Sequence, residues 1–244
     1  MNTLLLNCDL GETDRITEQS IEHKMMPYID MANIACGFHA GNTQVMKACI
    51  ELALEHGVKI GAHPSYPDRE NFGRVSMALN TADIADLMYQ QLRTIDAVAD
   101  DCGTALDYVK PHGALYNDMM VSDAVFEGVL QAVKLLNPDL PVMVMATPQN
   151  HLFAARAESM GVQLIFEAFA DRRYTDQGLL ESRLNDGAVY SSEVDILTQV
   201  NSIVASQTVI TATGRELVIK ANTLCVHGDN EYSVALIEKI RSSI

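Results

Sequence analysis

Leu4-Leu5-Leu6-Asn7-Cys8-Asp9-Leu10-Gly11-Glu12 decides how this chain folds, because three later stretches repeat its design. They are Asn33-Ile34-Ala35-Cys36-Gly37-Phe38-His39-Ala40-Gly41-Asn42, Val58-Lys59-Ile60-Gly61-Ala62-His63-Pro64-Ser65 and Tyr108-Val109-Lys110-Pro111-His112-Gly113-Ala114-Leu115-Tyr116-Asn117. Each is an apolar run that reads as a buried strand and ends in Asp, His, Lys or Asn beside a glycine. Stripping such groups of water is costly unless something pairs with them. Their position at strand ends therefore predicts one polar pocket at the carboxyl edge of a parallel sheet, where barrels and doubly wound sheets keep their chemistry.

Outward from these stretches, apolar runs and breakers place strands near 3–9, 31–36, 58–63, 106–110, 140–146, 162–168 and 222–227. Helical spacing fills the gaps: 42–56 between Asn42 as N-cap and Gly57, 81–102 opened by Thr81 and followed by Gly103, and 121–136 stopped at Pro138. Further helices are expected over 148–160, 192–205 and 230–243. Regular alternation of strand and helix implies parallel pairing with right-handed crossovers. Polar ends fall on most strands rather than at one switch point, which favours a closed, TIM-like (β/α)7 barrel over an open sheet. One barrel domain over residues 1–244 is expected, with a β-hairpin near 205–222 around Gly214. Two long segments, 64–80 and 167–191, follow strands and should overhang the same mouth.

Composition narrows the function classes. Seventeen basic against thirty-two acidic residues give a formal charge of −15, which repels nucleic acid and anionic membranes. The five cysteines form no C-x-x-C pair, so they predict neither a disulfide framework nor a thiolate zinc site. A basic n-region is missing at the amino terminus, and no apolar run approaches the ~20 residues that cross a bilayer. The expectation is a cytoplasmic protein.

Side chains two apart along a strand share a face, so Asn7 goes with Asp9, Lys110 with His112, and His227 with Asp229. If those faces line a barrel lumen, the mouth gathers Asp9, Lys110, His112 and Asp229 with His39 and His63. Each has a bland alternative: a lone histidine as hydrogen-bonded spacer, Lys110 snorkelling outward, Asp9 and Glu12 as a helix cap. Four of seven histidines at strand ends weigh against coincidence. Lys-Pro-His-Gly also reads as a turn built to present two polar side chains. Asp9, His39, His63 and His112 could ligate zinc or a similar ion, although no H-x-H or H-E-x-x-H spacing demands it. Neither phosphate-loop motif occurs, so phosphate would have to meet backbone amides at Gly37, Gly41 and Gly113 together with Arg74 and Arg172.

Taken together and in order, Asn7-Cys8-Asp9-Leu10-Gly11-Glu12, Asn33 through Gly41, Gly61-Ala62-His63-Pro64-Ser65-Tyr66-Pro67-Asp68, Phe72-Gly73-Arg74, Val109 through Tyr116, Glu167 through Arg172 and Val226-His227-Gly228-Asp229 resemble the LamB/YcsF family over essentially the whole chain. The resemblance implies a barrel of the glycoside hydrolase and deacetylase type. It further implies ATP-dependent opening of 5-oxo-L-proline to L-glutamate, with Mg2+ accompanying ATP, in a cytoplasmic complex with partner subunits B and C. On that basis Asp9, His39, His63, Lys110 and His112 are the expected catalytic set. Asn7, Glu12, Asn33, Gly37, Gly41, Arg74, Gly113, Tyr116, Glu167, Asp171, Arg172, His227 and Asp229 are expected to bind substrate or phosphate. Two readings compete with it: a metal-dependent amidohydrolase or deacetylase acting without ATP, and a non-catalytic carrier that binds the lactam for its partners.

Overall fold

A computed structural model describes residues 4–228 and 230–244. Seven strands form a closed, all-parallel, TIM-like barrel: β1 (Leu5–Leu10), β2 (Met31–Ala35), β3 (Lys59–His63), β4 (Tyr108–Val109), β5 (Val142–Met145), β6 (Leu164–Phe169) and β9 (Thr223–His227). Closure comes from β9, which pairs with β6 on one side and β1 on the other. In the chain between β6 and β9, β7 (Thr208–Ile210) and β8 (Glu216–Val218) pair antiparallel outside the barrel. All seven barrel strands fall where the apolar runs put them. In β4 the ladder geometry shortens at Lys110, because Pro111 has no N–H to donate. The flanking amides still bond across to β3 and the residue after it, Lys110 N to the Ala62 carbonyl at 2.9 Å and His112 N to the Pro64 carbonyl at 2.7 Å.

Alternation along each strand divides the residues into two sets. Leu6, Cys8, Ile34, Ile60, Val109, Val144, Leu224 and Val226 belong to the aliphatic core shared with the helices. The other parity faces the lumen, which is filled in layers. Its floor is apolar, with Met31, Tyr108 and Met143 packed beside Leu5 and Ile165. Gly61 makes room for the Tyr108 ring: a Cβ there would lie 2.2 Å from the ring. Above the floor the lumen turns polar.

The helices differ from expectation mostly at their ends. Thr43–His56 is capped by Asn42, which accepts from Gln44 N and Val45 N, and closes at Gly57 in the left-handed region at φ +67°. Thr81–Asp101 is capped by Asn80 rather than opened by Thr81, because Asn80 accepts from Asp83 N. The expected helix over 121–136 is Asp123–Leu136 with Ser122 as its cap, and 230–243 divides at Leu236 into Glu231–Ala235 and Ile237–Ser243. Two short helices carried too few turns for the periodicity to show: Ile21–Met25 in the first crossover and Gly113–Met119 directly after His112. Among the described residues no helix is long and apolar enough to cross a membrane.

Candidate active site

From the floor upward, polar side chains hand hydrogen bonds to one another along the lumen. Tyr108 Oη donates to Asn33 Oδ1 at 2.6 Å, and Asn33 Nδ2 donates to Asn7 Oδ1 at 2.8 Å and Asp9 Oδ1 at 2.7 Å. Asn7 Nδ2 donates to Thr223 Oγ1 at 3.0 Å. These amides leave few polar atoms unpaired in a dry interior. They also fix Asp9, which carries the next layer.

Lys110 is the centre of that layer. Its Nζ lies 2.8 Å from Asp9 Oδ1 and 2.8 Å from Glu167 Oε1, and 3.3 Å from Cys225 Sγ. The Glu167 contact is ionic in distance but off the hydrogen-bond direction; Oε1 accepts no hydrogen bond, while Oε2 accepts from Tyr116 Oη at 2.7 Å. Burial alone would push the Lys110 ammonium down, yet Asp9 and Glu167 hold it well above its ordinary value. Burial would likewise lift Asp9, but His63 and Lys110 keep it well below the usual carboxylate range. The pair is therefore ionised. Cys225 stays a thiol, since burial raises it more than Lys110 lowers it.

Three imidazoles stand above Lys110. His63 Nε2 lies 3.4 Å from Asp9 Oδ2 and 3.0 Å from His112 Nδ1, and His112 Nδ1 lies 3.2 Å from Glu12 Oε1. His39 stacks on His112 with ring centroids 3.8 Å apart, and its Nε2 lies 3.1 Å from Glu12 Oε1. The outer nitrogens reach oxygens: His63 Nδ1 to the Lys110 carbonyl at 2.7 Å, His112 Nε2 to the Phe72 carbonyl at 2.9 Å, and His39 Nδ1 to Ser65 Oγ at 2.9 Å. Burial and the neighbouring imidazoles push His112 well below its ordinary value, and His39 falls to about 2 for the same reasons. His39 and His112 are thus neutral rings with a lone pair each, the form that accepts a proton or binds a cation.

A cavity of about 560 Å³ opens above this cluster, large enough for a small organic substrate. Asp9, Glu12, His63, Lys110, His112 and His227 line it from the strand ends, and Tyr116 from the short helix after His112. Arg74 reaches it from the segment after β3, and Arg172 and Arg183 from the segment after β6, so both long segments overhang one mouth. Arg172 is buried, donates Nη2 to the Glu181 carbonyl at 2.7 Å, and has no hydrogen-bond partner at Nε. Burial, with Arg183 nearby, pulls its guanidinium down to about 10, so an anion entering there would relieve both.

Not every expected residue meets the cavity. Asn7, Asn33 and Glu167 lie beneath it as the packing that holds Asp9 and Lys110. His39 stands behind His112. Gly113 lines the cavity, whereas Gly37 and Gly41 do not; the carbonyls of both accept from Arg69 Nη1 at 3.1 Å. Asp171 is buried behind His227, taking its Nδ1 at 2.7 Å along with donors from Asn230 and Ser233. Asp229 lies outside the described residues. Cys225, Tyr108 and Phe169 drew no functional reading from the sequence, yet each sits two residues before or after a recognised polar strand end and the period-two rule would have found them. Arg183 and Ser65 gave no signal, since neither a loop arginine nor a serine beside proline marks a site by itself.

The LamB/YcsF family matches this chain over residues 4–244. The chain is 46% identical over 241 residues to 5-oxoprolinase A-subunit 2 of Pseudomonas putida, covering 99% of this chain and 93% of that one. It is 47% identical over 242 residues to the 5-oxoprolinase A-subunit of Vibrio cholerae, covering 99% and 98%. Among solved structures, the lactam utilization protein of Thermus thermophilus superposes with a TM-score of 0.87 at 30% identity, over 98% of this chain and 95% of that one.

Proposed function

The chain belongs to the LamB/YcsF family, and on that premise we propose that it is the lactam-opening subunit of an ATP-dependent hydrolase that converts 5-oxo-L-proline to L-glutamate with partner subunits B and C. The names of its relatives support the substrate and the assembly. The observation that carries the reading is the Asp9–Lys110 ion pair, with Glu167 2.8 Å from the same ammonium, buried directly beneath a histidine-walled cavity. A preorganised cation in a dry site stabilises charge that develops on an amide or phosphoryl oxygen far better than water does.

A lactam resists hydrolysis because its amide is resonance-stabilised. In the proposed reaction the lactam carbonyl oxygen attacks the γ-phosphorus of ATP, and ADP departs as the P–O bond to it breaks. Water adds to the activated carbon and loses a proton, the protonated ring nitrogen leaves with the C–N electron pair, and a second water hydrolyses the resulting acyl phosphate. Lys110 steadies charge on the carbonyl oxygen, while Arg74 and Arg172 receive carboxylate or phosphoryl oxygens at the mouth. The cluster of Asp9, Glu12, His63 and His112 activates the water. Mg2+ arrives with ATP.

The assay is glutamate release from 5-oxo-L-proline by the chain reconstituted with subunits B and C, with ADP followed in parallel. One ADP per glutamate, and no glutamate without ATP, is the expected result. Glutamate released without ATP would replace this reading with a simple amidohydrolase. Unchanged turnover after Lys110→Met and His63→Gln substitution would make the chain a carrier.

A further inference from the structure

Hydrogen placement on the three site imidazoles leaves an unsolved contact at their centre. The Lys110 and Phe72 carbonyls are acceptors only, so the hydrogen of His63 is on Nδ1 and that of His112 on Nε2. With both rings neutral, the form a metal ligand takes, His63 Nε2 and His112 Nδ1, 3.0 Å apart, face each other lone pair to lone pair. The same logic extends outward. Ser65 Oγ gives its hydrogen to the Tyr66 carbonyl at 2.9 Å, which obliges His39 Nδ1 to donate to Ser65 and turns the His39 Nε2 lone pair toward Glu12 Oε1. Asp9 Oδ2 adds a fifth acceptor 3.4 Å from His63 Nε2.

One proton can occupy only one line between two atoms. Four acceptor–acceptor contacts, at 3.0, 3.1, 3.2 and 3.4 Å, converge here. A metal bound at 2.0–2.1 Å to nitrogen or oxygen in tetrahedral geometry spaces its ligands about 3.3 Å apart, and the three contacts among His63, His112, Glu12 and Asp9, at 3.0, 3.2 and 3.4 Å, have the length of the polyhedron's edges. We propose that His63 Nε2 and His112 Nδ1, with the carboxylates of Asp9 and Glu12, form a binding site for one divalent transition-metal cation, with the His39 ring stacked behind His112. His112 Nδ1 is the shared member of the two donor groups, Asp9–His63–His112 and Glu12–His39–His112. Fixing each ring by a hydrogen bond through its other nitrogen is how metal-ligating histidines are oriented. Two imidazoles favour zinc, iron or a zinc-like ion such as cobalt over the magnesium that accompanies a nucleotide. All four proposed ligands line the cavity, and because four protein ligands complete a tetrahedron, water or substrate would reach the ion by expanding it to five-coordinate or by displacing one carboxylate.

The proposal deepens the water-activating role given to this cluster, but its test does not involve ring opening. The full chain is stripped with a chelator, dialysed and titrated with Co2+ and separately with Zn2+; bound metal is counted after gel filtration, and the cobalt form is examined for ligand-field absorption. Uptake of about one ion per chain, with tetrahedral cobalt bands and Mg2+ unable to compete, is expected. His112→Gln should weaken cobalt binding at least 100-fold and Glu12→Gln about 10-fold. Nitrogen-15 spectra of the stripped wild type supply a readout that needs no variant to fold. Stoichiometric uptake unaffected by His112→Gln, no uptake at all, or imidazolium signals from His63 or His112 showing a shared proton in the metal's place would each overturn the proposal.

Discussion

Removing the ammonium of Lys110 is the sharpest perturbation the lumen allows. Lys110→Met keeps the aliphatic stem but leaves Asp9 and Glu167, each 2.8 Å from the lost nitrogen, as two buried carboxylates with no cation between them. Breaking a buried ion pair from one side costs about 3–5 kcal/mol, and here two acidic partners are stranded. For a chain of this size each kcal/mol lowers the melting temperature by roughly 2–4 °C, so a fall of about 6–20 °C is expected. The deficit should depend on pH. In the variant the stranded carboxylates take up protons more readily in the folded than in the unfolded chain, and a raised carboxyl value means stability that falls as pH rises above about 4. Denaturant unfolding of wild type and variant at pH 5 and pH 8 should therefore show a larger gap at pH 8. Adding Glu167→Gln to the variant should recover part of the loss, because one stranded charge is removed. A gap below ~1 kcal/mol, or one equal at both pH values, would refute the claim that Lys110 is a charged, paired group.

Three further outcomes follow from the packing. Gly61→Ala should destabilise the barrel by about 1–3 kcal/mol or more by driving a methyl into the Tyr108 ring, and Tyr108→Leu in the same chain should relieve it; thermal unfolding of the three variants decides. Burial would raise Asp171, but His227, Asn230 and Ser233 hold it below the usual carboxylate range, so its contribution is present above about pH 4 and is lost as pH falls through its lowered folded value. Acid titration of wild type against Asp171→Asn should show the two stability curves converging below pH 4; curves that stay parallel would contradict the assignment. Arg172→Gln should raise KM for the lactam or for ATP at least tenfold with a smaller change in kcat, in steady-state assays of the assembled enzyme, if the guanidinium receives an anion at the mouth.

The strands were legible because buried parallel strands read as continuous apolar runs, and the polar residues that end them break those runs at the barrel's functional edge. Asp9, His63, Lys110 and His112 were legible for the same reason, as polar groups where burial forbids them without partners. What the residues could not show was depth. Asn7 and Asn33 look like Asp9 in the sequence but lie one layer lower, where register places them against Thr223 and Tyr108. Glu167 pairs with Lys110 across the lumen, a contact set by strand order rather than by any local signal. Gly37 and Gly41 sit beside a recognised motif yet turn their carbonyls to Arg69, which lies some 30 residues further along the chain. The short helix after His112 was hidden because seven residues hold too few turns to show a period.

Asp9 joins the asparagine ladder, the Lys110 ammonium and the histidine cluster, so the account stands or falls on it. With the chain assembled with subunits B and C, ATP-dependent glutamate release by Asp9→Asn should fall about 10²–10⁴-fold relative to wild type, with the complex intact and the fold preserved by thermal unfolding. Release within threefold of wild type by a folded, assembled Asp9→Asn chain would contradict the claim that the strand ends of this barrel are where the lactam is opened.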